Sequence, residues 1–211
     1  MEIKNIIFDL GGVLLNIDYN KTIAAFEQLG IPNFESLYTQ AKQTKVFDHY
    51  ETGKIDSTRF VNQLKTMLPH SISKKEIITA WNAMLEDLPS ERLEFLSAVN
   101  KAYNTALLSN TNPLHLEVFH EHLRLVHGQK SLQPYFDGVY FSSDIGLRKP
   151  NAEAFIYVCN QHDYEPAQTL FIDDSLQHVE GARHAGLQSI YLATEQTNVI
   201  DLLRPLLTKL N

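Results

Sequence analysis

Five short runs of nearly continuous apolar residues constrain the fold of this chain more than any other feature. They are NIIFD (5–9), TALLSN (105–110), GVYFSS (138–143), TLFIDD (169–174) and SIYLA (189–193). A strand with one face in water alternates apolar and polar side chains, whereas a strand covered on both faces does not. The runs therefore predict a buried parallel sheet. Helical patterns such as NAEAFIYVCNQHD and QHVEGARHAG lie between the last four and supply the crossovers that parallel strands require. The expected fold class is α/β, a doubly wound, Rossmann-like parallel sheet in three layers.

The first interval breaks this rhythm. About ninety-five residues separate NIIFD from TALLSN, far more than one crossover helix needs. YNKTIAAFEQLG, FESLYTQAKQTKVFDHYETG, STRFVNQLKTML and SKKEIITAWNAMLED read as helices within it, with Asp56-Ser57 and Ser73 as N-caps. The expected organisation is a core of residues 1–15 and 89–211 with a helical insert over 16–88. At 44% apolar and 20% charged the chain reads as globular, and a net charge of -7 disfavours nucleic acid. No apolar run approaches the ~20 residues of a spanning helix, and the N-terminus lacks a signal-peptide pattern. The expectation is a soluble, cytoplasmic monomer or small homo-oligomer with no membrane association. Cys159, the single cysteine, sits in an apolar helical run and reads as a packed thiol.

In an open parallel sheet, ligands gather beyond the carboxyl ends of the strands. Four of the five runs end there in polar residues: Asp9, Ser109-Asn110-Thr111-Asn112, Ser142-Ser143-Asp144 and Asp173-Asp174, with Lys149 shortly after the third. Singly, each is a cap, a turn or a solvated charge. Together they form a constellation. Three neighbouring carboxylates repel unless a cation joins them, and a hard divalent ion such as Mg²⁺ leaves positions for water and a phosphate oxygen. Lys149 and the Ser109 hydroxyl then hold the remaining phosphoryl oxygens, and a carboxylate so placed can attack phosphorus.

FDLGGV, LLSNTN, the lysine of GLRKP and FIDDS, in this order, resemble the four motifs of the haloacid dehalogenase-like superfamily, and the insert resembles that family's helical cap. DLGGVLLNID, SNTNPLH and DIGLRKP are similar to its bacterial α-D-glucose-1-phosphatase branch. The resemblance implies a phosphatase of small phosphorylated metabolites, with sugar phosphates first. Asp9 is implied as nucleophile and metal ligand, the Gly11 carbonyl as a second ligand, and Ser109 with the Asn110 backbone N–H as phosphoryl ligands. It further implies that Lys149 bridges the phosphoryl group and Asp9, and that Asp174 completes the Mg²⁺ site with Asp173 bound directly or through water.

Gly11 departs from the pattern, because most phosphatases of the family carry there a second aspartate that protonates the leaving oxygen. Such help is typically worth ~10²–10⁴-fold. One reading is a substrate needing little protonation, such as an anomeric sugar phosphate, with Asp18, Tyr19, His49 and Glu51 as candidate substitutes. Dehalogenation is a second reading, opposed by the acid pair Asp173-Asp174. A catalytically silent binding protein is a third, opposed by the survival of every other motif residue. His115, His120, His122 and His127 lack the spacing of a zinc helix. Trp81, Met84 and Leu85 read as one packed stripe rather than a sugar platform.

Overall fold

In the computed structural model, residues 2–36, 38, 45–69 and 71–207 are described. Strand β1 (Asn5–Phe8) leads through α1 (Tyr19–Gln28), α2 (Lys45–Glu51), α3 (Ser57–Lys65) and α4 (Lys74–Asn82) to α5 (Ser90–Ala102). Then follow β2 (Asn104–Ser109), α6 (Pro113–His127), β3 (Gly138–Phe141), the single turn α7 (Ser142–Ile145) and α8 (Ala152–Gln161). The chain continues through β4 (Thr169–Asp173), α9 (Leu176–His184), β5 (Gln188–Tyr191) and α10 (Val199–Leu203).

The five strands form one parallel sheet in the order β3-β2-β1-β4-β5. All four residues of β1 are buried, because β2 and β4 flank it and helices cover both faces. Ile6 and Phe8 pack into one layer with Leu96 and Val99 of α5, while Ile7 packs into the other with Phe155 and Val158 of α8. This is the three-layer arrangement the apolar runs predict. Register then sets the site. Phe8 pairs with Ile172, and the Asp9 N–H donates to the Ile172 carbonyl, so Asp9 and Asp173 both follow directly on that pair.

Two of the runs behave differently from expectation. The third leaves the sheet at Ser142 and turns into α7, because the Ser142 hydroxyl accepts from the Thr111 N–H and donates to the Thr111 carbonyl. Its polar end thus braces the loop after β2, and Asp144 is exposed. The fifth forms an edge strand whose residues are only partly covered, with Tyr191 exposed.

Helices α1 to α4 bury an aromatic cluster of their own, in which Phe26, Phe34, Phe47, Phe60, Tyr50 and Trp81 are each at most 1% exposed. Asp18 caps α1, Asp56 caps α3, and Ser73 with Glu76 forms a capping box on α4. The helix predicted from residue 34 is realised as a single 3₁₀ turn at Phe34–Ser36 and then as α2; residues 37 and 39–44 lie outside the described residues. The two connections to the sheet pair with each other: Asn16 N–H donates to the Asp87 carbonyl, Glu86 N–H to Asn16, and Asp18 N–H to Met84. No helix among the described residues is long and apolar enough to cross a membrane.

Candidate active site

Asp9 directly follows β1, in a cleft also lined by Gly11, Ser109, Asn110 and Thr111 from the strand ends. Its Oδ1 accepts from the Leu10 N–H and from Lys149 Nζ, each at 2.7 Å. Lys149 is completely buried, and its Nζ also lies 2.7 Å from Asp173 Oδ2. The loop carrying it is pinned to the end of β2 by a reciprocal pair. Asn110 Nδ2 donates to the Lys149 carbonyl at 2.9 Å, and the Lys149 N–H donates to Asn110 Oδ1 at 2.9 Å. The Asn110 side chain is therefore a brace for Lys149, a role not anticipated for it.

Asp173 Oδ1 accepts from the Ser175 N–H at 2.8 Å and lies 3.0 Å from His178 Nδ1. Burial works against its negative charge, but Lys149 and His178 outweigh burial and hold the carboxyl at about 2. Asp9 goes the other way. Burial and the Asp173 charge push its carboxyl well above the usual carboxylate range, against the pull of Lys149, and Asp174 adds to the rise. Burial also opposes the Lys149 ammonium, yet the two carboxylates raise its pKa.

This electrostatic arrangement suits a cation. With Asp9, Asp173 and Asp174 all ionised, the one ammonium would leave two negative charges uncompensated, and a divalent ion with oxygen ligands would balance them and oppose the rise at Asp9. The backbone makes room for it. Gly12 has φ +76°, and a Cβ there would lie 2.1 Å from Asp174 Oδ2, so only glycine admits the Asp174 carboxylate at this place. Asp9, Asp173 and His178 also bring potential ligand atoms within 4.8 Å of one another. The donor set fits Mg²⁺ through its oxygens.

Gly11 lines the cleft, and a Cβ added to it would meet Ile17 Cδ1 at 3.0 Å. An apolar side chain thus borders the place where the family's second acid would begin. Among the four candidate substitutes, Tyr19 and Glu51 line the cleft. Asp18 instead caps α1, and His49 is exposed outside the cleft wall.

The upper walls come from both parts of the chain. Tyr19, Tyr38 and Glu51 belong to the helical insert, and Arg148 and His115 to the core. Arg148 pairs with Asp48 and, at 3.0 Å, with Glu51, tying the loop after α7 to α2. Burial raises the pKa of the Tyr19 and Tyr38 phenols well above the ordinary value, so both remain neutral hydrogen-bonding groups. Sequence reasoning missed Arg148, His178 and Tyr38 here and set His115 aside with the other α6 histidines. Arg148 had a signal in its adjacency to Lys149; the others had none. The α6 histidines do not gather: His122 and His127 adjoin each other, while His115 stacks on Trp81. Trp81 is fully buried in the insert's cluster, as the packing reading expects.

The model of the haloacid dehalogenase-like hydrolase family matches residues 3–186. A D-ribitol-5-phosphate phosphatase of Bacteroides thetaiotaomicron is 30% identical over 187 residues, covering 89% of this chain and 90% of that protein. A sesquiterpene phosphatase of Aspergillus oryzae is 28% identical over 200 residues, covering 94% of each. A crystal structure of a HAD family enzyme from Bacteroides thetaiotaomicron, in complex with magnesium and inorganic phosphate, superimposes with a TM-score of 0.79 at 30% identity. It covers 91% of this chain and 95% of that one.

Proposed function

Because the chain belongs to the haloacid dehalogenase-like hydrolase family, we propose that it is a magnesium-dependent phosphatase of small polyhydroxylated phosphate monoesters. The observation that carries this reading is the buried Lys149 ammonium, held 2.7 Å from both Asp9 and Asp173 at the cleft that Asp9 and Ser109 line. Such an ammonium keeps a carboxylate nucleophile oriented and offers positive charge to an incoming phosphoryl group.

In the proposed reaction a carboxylate oxygen of Asp9 attacks phosphorus, the bond from phosphorus to the leaving oxygen breaks, that oxygen takes a proton from water, and an aspartyl-phosphate forms. Water then attacks phosphorus, releasing phosphate and restoring the Asp9 carboxylate. Ser109 and the Asn110 N–H hold phosphoryl oxygens, while Lys149 bridges the phosphoryl group and Asp9. Asp9, Asp174 and the Gly11 carbonyl would hold Mg²⁺, with Asp173 beside them directly or through water, and the ion would supply charge neutralisation at the transferring group. Residues 16–88 act as a cap that excludes water from the first half-reaction.

The substrate class follows from the walls. Two neutral phenols, a carboxylate, a guanidinium and an imidazole stand in the cleft beside apolar Leu10, Leu15, Ile17, Met84 and Leu85, and the polar groups offer hydrogen-bonding partners to a hydroxylated leaving group such as a sugar or sugar alcohol. Gly11 offers no side chain for proton transfer, so an anomeric phosphate, whose hemiacetal oxygen leaves readily, is favoured over a primary-alcohol phosphate.

The test is phosphate release with Mg²⁺ over a panel of sugar, sugar-alcohol, nucleotide and aryl phosphates, comparing the parent with Asp9→Asn. Turnover that disappears in Asp9→Asn is expected; equal background rates in both proteins overturn the proposal. Within the panel, a preference for D-ribitol 5-phosphate over hexose 1-phosphates overturns the leaving-group argument alone.

A further inference from the structure

His115 occupies an unusual position in the cleft wall. It lies in the first turn of α6, 7% exposed, and is one of the residues lining the same cleft as Asp9 and Ser109. The ring is held on two sides by the helical insert. Trp81 stacks on it with centroids 4.8 Å apart and planes 12° from parallel, and Asn82 Oδ1 lies 2.8 Å from its Nδ1. Trp81 is itself anchored to the core, since its Nε1 donates to Asn112 Oδ1 at 3.2 Å. An amide oxygen only accepts, so the Nδ1 proton faces Asn82 and Nε2 keeps its lone pair. That Nε2 is buried and has no hydrogen-bond partner among the described residues. Burial lowers the pKa of the ring to about 3, which keeps it neutral and keeps Nε2 an acceptor at physiological pH.

A buried acceptor left without a donor costs stability, so an unpaired acceptor on a residue of the cleft wall calls for a functional explanation. We infer that His115 is a specificity-determining residue whose Nε2 accepts a hydrogen bond from a hydroxyl of the leaving group. This rests on the phosphatase reading above and adds to it the feature of the substrate that is recognised: a hydroxyl donor on the sugar or sugar alcohol, away from the reacting phosphate. Because Trp81 and Asn82 both come from the insert while His115 comes from the core, the subsite is complete only with the insert seated. Recognition of the hydroxyl and closure of the cleft then act together. A site built around a hydrogen bond rejects the analogue lacking the hydroxyl, because the buried acceptor stays unpaired.

The experiment compares D-ribitol 5-phosphate and glucose 1-phosphate with n-pentyl phosphate, which offers phosphate without hydroxyls, in the parent, His115→Phe and His115→Gln. Phenylalanine keeps an aromatic ring against Trp81 but removes the acceptor; glutamine restores an acceptor. The parent is expected to favour the hydroxylated phosphates. In His115→Phe their kcat/KM, relative to that of n-pentyl phosphate, is expected to fall by at least about tenfold, chiefly through KM, with partial recovery in His115→Gln. An unchanged ratio with turnover that still depends on Asp9 overturns the role of His115 and leaves the phosphatase reading standing. A loss equal on all three phosphates marks a structural role and also overturns it. Absence of Asp9-dependent release from every phosphate overturns the phosphatase reading itself.

Discussion

Gly12 and Asp174 share one space: a Cβ on Gly12 would lie 2.1 Å from Asp174 Oδ2. The positive φ of Gly12 and the approach of the carboxylate both require the missing side chain. Gly12→Ala is therefore expected to displace Asp174 and to lose about 1–2 kcal/mol from the left-handed backbone. Titration calorimetry with Mg²⁺ and urea unfolding check the two effects separately. Parent-like Mg²⁺ affinity in Gly12→Ala would remove Asp174 from the metal site.

At Gly11 the obstacle is Ile17, whose Cδ1 lies 3.0 Å from the position of an added Cβ. Gly11→Asp alone is expected to lower activity, because the new side chain enters occupied space. Combined with Ile17→Val, which removes Cδ1, it is expected to raise kcat on primary-alcohol phosphates more than on aryl phosphates. Restored general acid help is typically worth ~10²–10⁴-fold, and a gain of about tenfold suffices to show it. Steady-state kinetics on the two substrate types decides the matter.

Arg148 joins the core to α2 through Asp48 and Glu51, and the Glu51 side chain is only 5% exposed. Arg148→Met leaves that carboxylate buried without its cation, at a cost of about 3 kcal/mol. Hydrogen exchange is expected to accelerate in α2 while β1 and β4 keep their protection. Uniform acceleration across the whole chain would show that the pair supports global rather than local stability.

Acid sensitivity follows from His115. Burial lowers its pKa to about 3, whereas in the unfolded chain it titrates near 6.5. Between those values the unfolded chain binds a proton that the folded chain does not, so stability falls as pH drops from 6.5 towards 3 and is fully present above 6.5. Going from pH 7 to pH 5 is expected to cost the parent about 2 kcal/mol through this residue. Urea midpoints at both values should show a shallower dependence in His115→Phe. His178, whose pKa burial also lowers, acts in the same direction in both proteins.

Much of the site was legible because a parallel sheet brings its carboxyl ends to one edge. Asp9, Ser109 and Asp173 each close an apolar run, and once the runs are strands their register sets them side by side. Lys149 was legible as a basic residue shortly after the third run, although Arg148 beside it offered the same signal. The strand ends themselves were less legible, because Ser142 turns into α7 through a bond to Thr111 that periodicity does not encode. Asn110 was placed correctly in the chain but not in its side-chain role, which depends on a loop 39 residues away.

The sequence by itself determined the layers and the residues delivered to the sheet edge, since both depend on local apolar pattern and strand parity. Only the tertiary structure decided which groups form the cleft walls. Arg148 meets Asp48 across 100 residues, and His115 meets Asn82 across 33. These contacts arise where separately formed elements dock, and docking depends on the shapes of two buried surfaces rather than on the order of residues within either. For that reason Asp9 could be placed at the sheet edge from the sequence, while the side chains of the upper cleft walls became readable only with the insert in place.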